Sequence, residues 1–184
     1  MSDFATAFDS TMIFEGVYSK NPNDPGGETV FGISRVHHPD WLGWVLVDSL
    51  KKEKGEFNDS MDLIEIKEYR DYFYKSEFWD KIKGDEIQDQ KLAEILFDTS
   101  VHNGIGFAVK SLQESLNLLL GCSLIIDGGF GSKTLEKMKE IKPDSLNLET
   151  LKKMLMVFRG YLFIELARDN EFHRGNLRGY FKRL

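Results

Sequence analysis

The stretch Glu15-Gly16-Val17-Tyr18-Ser19-Lys20-Asn21-Pro22-Asn23-Asp24-Pro25-Gly26-Gly27-Glu28-Thr29-Val30-Phe31-Gly32-Ile33 decides how this chain reads. Before it, Phe4, Phe8 and Met12 recur every four residues, one apolar stripe of a helix that Gly16 should end. Within it, Asn21 to Gly27 packs two prolines and two glycines into seven residues, which forces consecutive turns. After the turns, Thr29-Val30-Phe31-Gly32-Ile33 reads as a short strand-like segment. A helix is thus followed at once by a small irregular or β lobe near residues 17–34.

Downstream the pattern is helical. Pro39 suits the first turn of a helix carrying Trp41, Trp44, Val45 and Val47. Lys51–Asp59 is polar and reads as an exposed loop. Helices are predicted over about 62–79, 90–102, 106–120, 132–141 and 148–169, with Ser132 and Asn147 as N-caps. The fold class expected is mainly α. Three tryptophans and many Phe and Tyr residues read as core rather than sugar platforms, Tyr18 excepted.

The chain has 184 residues and a net charge of −6, which argues against nucleic acid as the main partner. Cys122 is the only cysteine, so no internal disulfide can form, and its apolar neighbours predict a buried, inert thiol. No apolar run is long enough to cross a membrane. The N-terminus lacks a basic segment followed by an apolar one, so synthesis in the cytoplasm without a signal peptide is expected. His37, His38 and Asp40 lack further ligands at metal spacing, so no metal is expected. Arg174, Arg178, Lys182 and Arg183 form a basic tail, read as a solvated face or a contact to an acidic wall.

The chemistry of the opening stretch lies in its oxygens. Glu15 ends an apolar helix, where unsatisfied carbonyls disfavour a carboxylate. Ile13 and Phe14 beside it reduce its hydration, and Asp24 brings a second negative charge. A carboxyl kept protonated in this way, with a second carboxylate nearby, is what glycoside hydrolysis requires. Thr29 adds a hydroxyl able to hold a water. The same three residues also read as a solvated helix-end Glu, a turn-forming Asp and an ordinary strand Thr, and their spacing alone does not choose.

The stretch Glu15-Gly16-Val17-Tyr18, Asn21 to Thr29, and Gly32-Ile33 resembles glycoside hydrolase family 108, with its E-G-G-Y and N-D-P-x-D-x-G-G-x-T signature. The family comprises N-acetylmuramidases of lysozyme-like fold, often described as secretion activator proteins or phage endolysins. The resemblance implies that Glu15 is the catalytic acid. Val17 stands where the signature has its second Gly, and Asn21 where it has its first Asp, which leaves Asp24 as the second carboxylate. Asp24 and Thr29 would then position water or steady the developing oxocarbenium ion. Tyr18 would line the sugar cleft. Leu96-Phe97-Asp98-Thr99-Ser100-Val101-His102-Asn103-Gly104 resembles the family's L-F-D-x-x-V-N-x-G segment, with His102 in the Asn position. His102 and Asn103 would bind substrate or cap their helix.

Leu112-Gln113 followed by Ile126-Asp127-Gly128-Gly129-Phe130-Gly131-Ser132-Lys133-Thr134-Leu135 resembles the peptidoglycan-binding-like module that ends such proteins. The division implied is a lysozyme-like catalytic region over 1–105 and a helical peptidoglycan-binding-like region over 106–184, packed as one compact unit. The activity implied is cleavage of the β-1,4 bond between N-acetylmuramic acid and N-acetylglucosamine. A monomer is expected, acting in the periplasm or cell wall after release by a holin or a secretion system. Bacterial peptidoglycan is the partner; neither a cofactor nor membrane insertion is implied. A non-catalytic wall-binding protein and a lytic transglycosylase are the alternatives.

Overall fold

The computed structural model describes residues 1–12, 17–20, 27–55 and 63–184. Helix α1 spans Phe4–Met12 and is followed by three short strands, β1 Tyr18–Lys20, β2 Glu28–Val30 and β3 Ile33–Ser34. Then come α2 Gly43–Lys54, α3 Ile64–Tyr74, a π-helical turn Lys75–Trp79 and a 3-10 turn Gly84–Glu86. The C-terminal part is α4 Gln90–Asn103, α5 Ile105–Leu120, α6 Ser132–Lys139, α7 Leu146–Asp169 and α8 Glu171–Phe181. The fold is mainly α and lysozyme-like, with one small antiparallel sheet in the order β1-β2-β3.

The helical stripes become the core. Ala7 and Phe8 of α1 are buried with Trp79, Leu96 and Phe97, and the same apolar cluster continues through Leu112 and Leu116 to Leu151 and Leu155. The ring of Phe4 meets Trp79 and Phe97 edge-on at 5.7 and 5.8 Å. Trp79 is fully buried and donates its indole N–H to Asp85 Oδ1 at 2.7 Å. Gly84 is needed beside it, since a Cβ there would stand 2.2 Å from the Trp79 ring. Trp41 and Trp44 are buried as well.

The strand-like segment 29–33 is in fact two strands around a two-residue turn. Phe31 and Gly32 have φ of 51° and 79°, the left-handed pair that suits the twist of a tight hairpin. Gly32 adopts this freely, whereas Phe31 is held there against its steric preference. Tyr74 donates its hydroxyl to Phe31 O at 2.9 Å, and Phe31 N–H donates to Val17 O at 2.7 Å. The ring, only 7% exposed, is buried in the core.

Several boundaries differ from expectation. Pro39 and Asp40 form a turn, and α2 starts only at Gly43. Lys51–Lys54 are the last residues of α2 rather than loop. Ser145, not Asn147, caps α7, its hydroxyl accepting from Leu148 N–H at 3.2 Å. Ser132 is the first residue of α6, and Gly131 takes the cap position. Arg174 and Arg178 of the basic tail lie in a helix, α8, capped by the Asn170 side chain, and Lys182 and Arg183 follow it. Arg174 in it donates to the carbonyls of Ala167 and Arg168 at the end of α7, where a cation is favoured. Cys122 is only partly buried, and its thiol points to Asn117 Oδ1 at 3.2 Å and Leu116 O at 3.6 Å.

The Leu112-Gln113 and Asp127-Gly-Gly motifs turn out to be one hydrogen-bonded knot. Gln113, 2% exposed, donates to Asp127 Oδ1, Gly129 O and Thr134 Oγ1, and accepts from Gly128 N–H at 3.0 Å. Buried polar groups are satisfied here by residues of the motif itself.

Candidate functional site

The sheet sorts its side chains onto two faces. Tyr18 pairs with Val30 and Lys20 with Glu28, while Ser19 pairs with Thr29 and Thr29 with Ser34. Side chains alternate along a strand, so Tyr18, Glu28, Val30 and Ile33 share one face and Ser19, Thr29 and Ser34 the other. The first face turns inward, with Val30 and Ile33 buried in the core. The second is a row of three hydroxyls in register, with Thr29 half-buried at its centre.

Glu28 is the centre of an ionic cluster on the inward face. Tyr18 donates its hydroxyl to Glu28 Oε1 at 3.1 Å, Lys51 pairs with the same oxygen, and Arg35 Nε meets Oε2 at 2.9 Å. Arg35 in turn grips Asp48 with two nitrogens at 3.0 and 2.7 Å and lies over the Trp44 ring at 4.2 Å. Burial pushes the Glu28 carboxyl up, but Lys51, Arg35 and Tyr18 together outweigh it and hold the group below the usual glutamate range. Glu28 is therefore a fixed carboxylate. It has no proton to give at neutral pH, and its partners come from β1, the end of β3 and α2.

A second cluster closes the end of α4. Asp98 Oδ2 meets Arg159 Nη1 at 2.5 Å, and Arg159 Nε donates to Asn103 Oδ1 at 2.9 Å. His102 Nδ1 lies 2.8 Å from Asp98 O and 3.3 Å from Asp98 Oδ1, and Arg183 touches His102 Nε2. The Arg159 side chain is 2% exposed. Burial raises the Asp98 carboxyl, yet His102 and Arg159 more than compensate and keep it ionised. This cluster ties α4 to α7 and to the residues after α8.

Of the residues singled out in the sequence, Tyr18 and Thr29 lie on neighbouring strands, on opposite faces. His102 and Asn103 belong to the separate Asp98–Arg159 cluster, where His102 meets Asp98 and Arg183 and Asn103 accepts from Arg159. Glu15 and Asp24 lie outside the described residues. Asp24 falls between Lys20 and Glu28, whose Cα atoms are ladder partners. Glu15 falls between α1 and β1. Arg35, Asp48 and Lys51 carried no motif in the sequence; Arg35 and Lys51 are identified by their approach to Glu28, and Asp48 by its grip on Arg35. Among the described residues no group of three His, Cys, Asp or Glu side chains is placed to hold a metal ion.

The family model for glycosyl hydrolase 108 matches residues 8–104, which takes in the second half of α1, the whole sheet and α4. The chain belongs to glycosyl hydrolase family 108. It is accordingly a glycoside hydrolase, with peptidoglycan as the substrate class that fits the family. Among solved structures, Brucella abortus SagA is similar over 98% of this chain and 92% of its own, with a TM-score of 0.61 and 21% identity. That likeness covers the C-terminal helices as well as the family-matched part. No curated protein sequence matches the chain. The family match ends at residue 104, one residue before α5.

Proposed function

We propose that the protein is an N-acetylmuramidase, hydrolysing the β-1,4 bond between N-acetylmuramic acid and N-acetylglucosamine in bacterial peptidoglycan. The observation that carries this reading is the family match over residues 8–104, because it includes the whole Glu15–Thr29 stretch. Glu15 is assigned as the acid that protonates the glycosidic oxygen. Asp24 and Thr29 are assigned to position the attacking water or steady the oxocarbenium ion. Two findings favour this division of labour. Glu28, the other glutamate of the stretch, is held ionised by Lys51 and Arg35 and so is unsuited to proton donation. Thr29, half-buried, stands in register between Ser19 and Ser34, so its hydroxyl is of the kind that can hold a water.

Residues 106–184 are assigned chiefly to supporting the catalytic part, since the Gln113 knot satisfies its motif residues internally. Action in the cell wall, after release from the cytoplasm by a holin or a secretion system, is part of the same proposal. Mass spectrometry of digested sacculi tests it. A muramidase leaves reducing N-acetylmuramic ends. Anhydro-muramic products would instead make the protein a lytic transglycosylase, and sacculi that are bound but uncut would make it a wall-binding protein.

A further inference from the structure

A groove of about 380 Å³ lies between the residues preceding α2 and the outer side of α3. This is within the range of about 300–1,000 Å³ typical of small-molecule sites. It shares no residue with the Glu28 cluster or the Asp98 cluster. The buried Trp41 and Phe73 give it an apolar lining, and the Trp41 indole is fixed by donating to Tyr69 O at 3.2 Å.

Two tyrosines one helical turn apart on α3, Tyr69 and Tyr72, also line the groove, and they are 39% and 74% exposed. That contrasts with the tryptophans, which are all in the core. His37, His38, Asp40 and Glu77 complete the lining. The side chains of His37, Asp40, Tyr69 and Tyr72 make no hydrogen bond or ion pair with any described residue. Among the described residues Glu77 pairs with the exposed Lys81.

The chemistry of this lining selects among ligands. Its two formally charged groups, Asp40 and Glu77, are both acidic, and burial holds the His38 imidazole below its ordinary range. Phosphates, carboxylates and nucleic acids are therefore disfavoured. The lining has too many unpaired polar groups for an aliphatic ligand. A neutral polyol suits it. Tyrosine and histidine can donate, the carboxylates accept, and sugar hydroxyls do both. The exposed tyrosine faces, negative at the π-cloud, suit the polarised C–H side of a pyranose ring.

We propose that this groove, whose lining includes no residue of the Glu15–Thr29 stretch, is an auxiliary saccharide-binding site for N-acetylated glycan. The inference rests on the muramidase reading for the polymer concerned. A second grip on the same strand would raise the effective concentration of glycan at the catalytic residues.

Chitotetraose, the β-1,4 tetramer of N-acetylglucosamine, is the probe. It is titrated into isotope-labelled full-length Glu15→Gln protein while the imidazole signals of His37 and His38 are followed by NMR. Saturable shifts of both are expected. Tyr72→Ala, at an exposed position and so without cost to folding, should weaken binding about three- to tenfold. Tyr161→Ala, 60% exposed on α7, should leave it unaltered. Unmoved histidines, or an affinity that Tyr72→Ala leaves intact, overturn the groove as a saccharide site. Cleavage of sacculi is read separately on the wild-type chain, so the groove and the muramidase reading fall to different measurements.

Discussion

Tyr18 and Glu28 share the inward face of the sheet, one strand apart, and the phenol donates to the carboxylate at 3.1 Å. With Lys51 and Arg35 on the same carboxylate, β1, β2, α2 and the end of β3 are pinned at one point. Glu28, the second glutamate of the opening stretch, is thus an anchor.

Glu28 makes stability acid-sensitive. Its folded pKa lies below the ordinary value of about 4.5, so its contribution is complete above that value and is lost as pH falls through the folded one. Glu28→Gln should lower the melting temperature at pH 7 and flatten the decline between pH 5 and the acid limit. Thermal denaturation across that range checks it, and a variant with an unchanged acid slope would remove Glu28 from this role.

Glu15→Gln should keep the fold and reduce turnover of sacculi by about 10²–10⁴-fold, the range general acid catalysis supplies. Asp24→Asn should cost less, about tenfold or more, because an amide still positions water where it no longer stabilises positive charge. Reducing-end release by the two variants, beside wild type, decides the order. Activity of Glu15→Gln above about a tenth of wild type would move the acid elsewhere.

Asp98→Ala should destabilise by about 3–5 kcal/mol, because it leaves the Arg159 guanidinium buried without its counter-ion. The double variant Asp98→Leu with Arg159→Met should recover much of that loss. Denaturant unfolding of the two gives the comparison. A double variant no more stable than Asp98→Ala would overturn the expected recovery.

A fragment ending at residue 106 should not fold cooperatively. The apolar cluster that begins with Ala7 and Phe8 continues into Leu112, Leu116, Leu151 and Leu155, and the fragment would open all of that surface to water. Cooperative melting of the fragment, with lytic activity retained, would contradict this.

The helices were legible because their stripes repeat every three to four residues and are long. Short-range signals were less dependable. Pro39 and Asn147 each carry a helix-start signal, yet a turn and the Ser145 cap take those roles, because each helix starts where its apolar face meets the core. The Phe31-Gly32 turn was hidden in a run of strand formers. Phe31 adopts a left-handed φ only because Tyr74 and Val17 hold it, contacts remote in sequence. Helix α8 was missed because none of its residues is buried; it packs chiefly on α7 through rings such as Tyr180 on Phe163. For the candidate site, Glu15, Asp24 and Thr29 stood out through a dense local motif. The anchoring of Glu28 could not be read there, since Arg35 and Lys51 become its neighbours only after folding.

The ladder pairing of Lys20 with Glu28 has a consequence for how such enzymes diversify. The two ends of the Pro- and Gly-rich segment are fixed at the spacing of adjacent strands whatever lies between them. The sheet is thus a socket. Segments of other lengths that keep Asp24 can join Lys20 to Glu28 at an entropic cost that grows only slowly with length, while the core beneath keeps its register. Residues around Asp24 can then be exchanged without redesign of the scaffold.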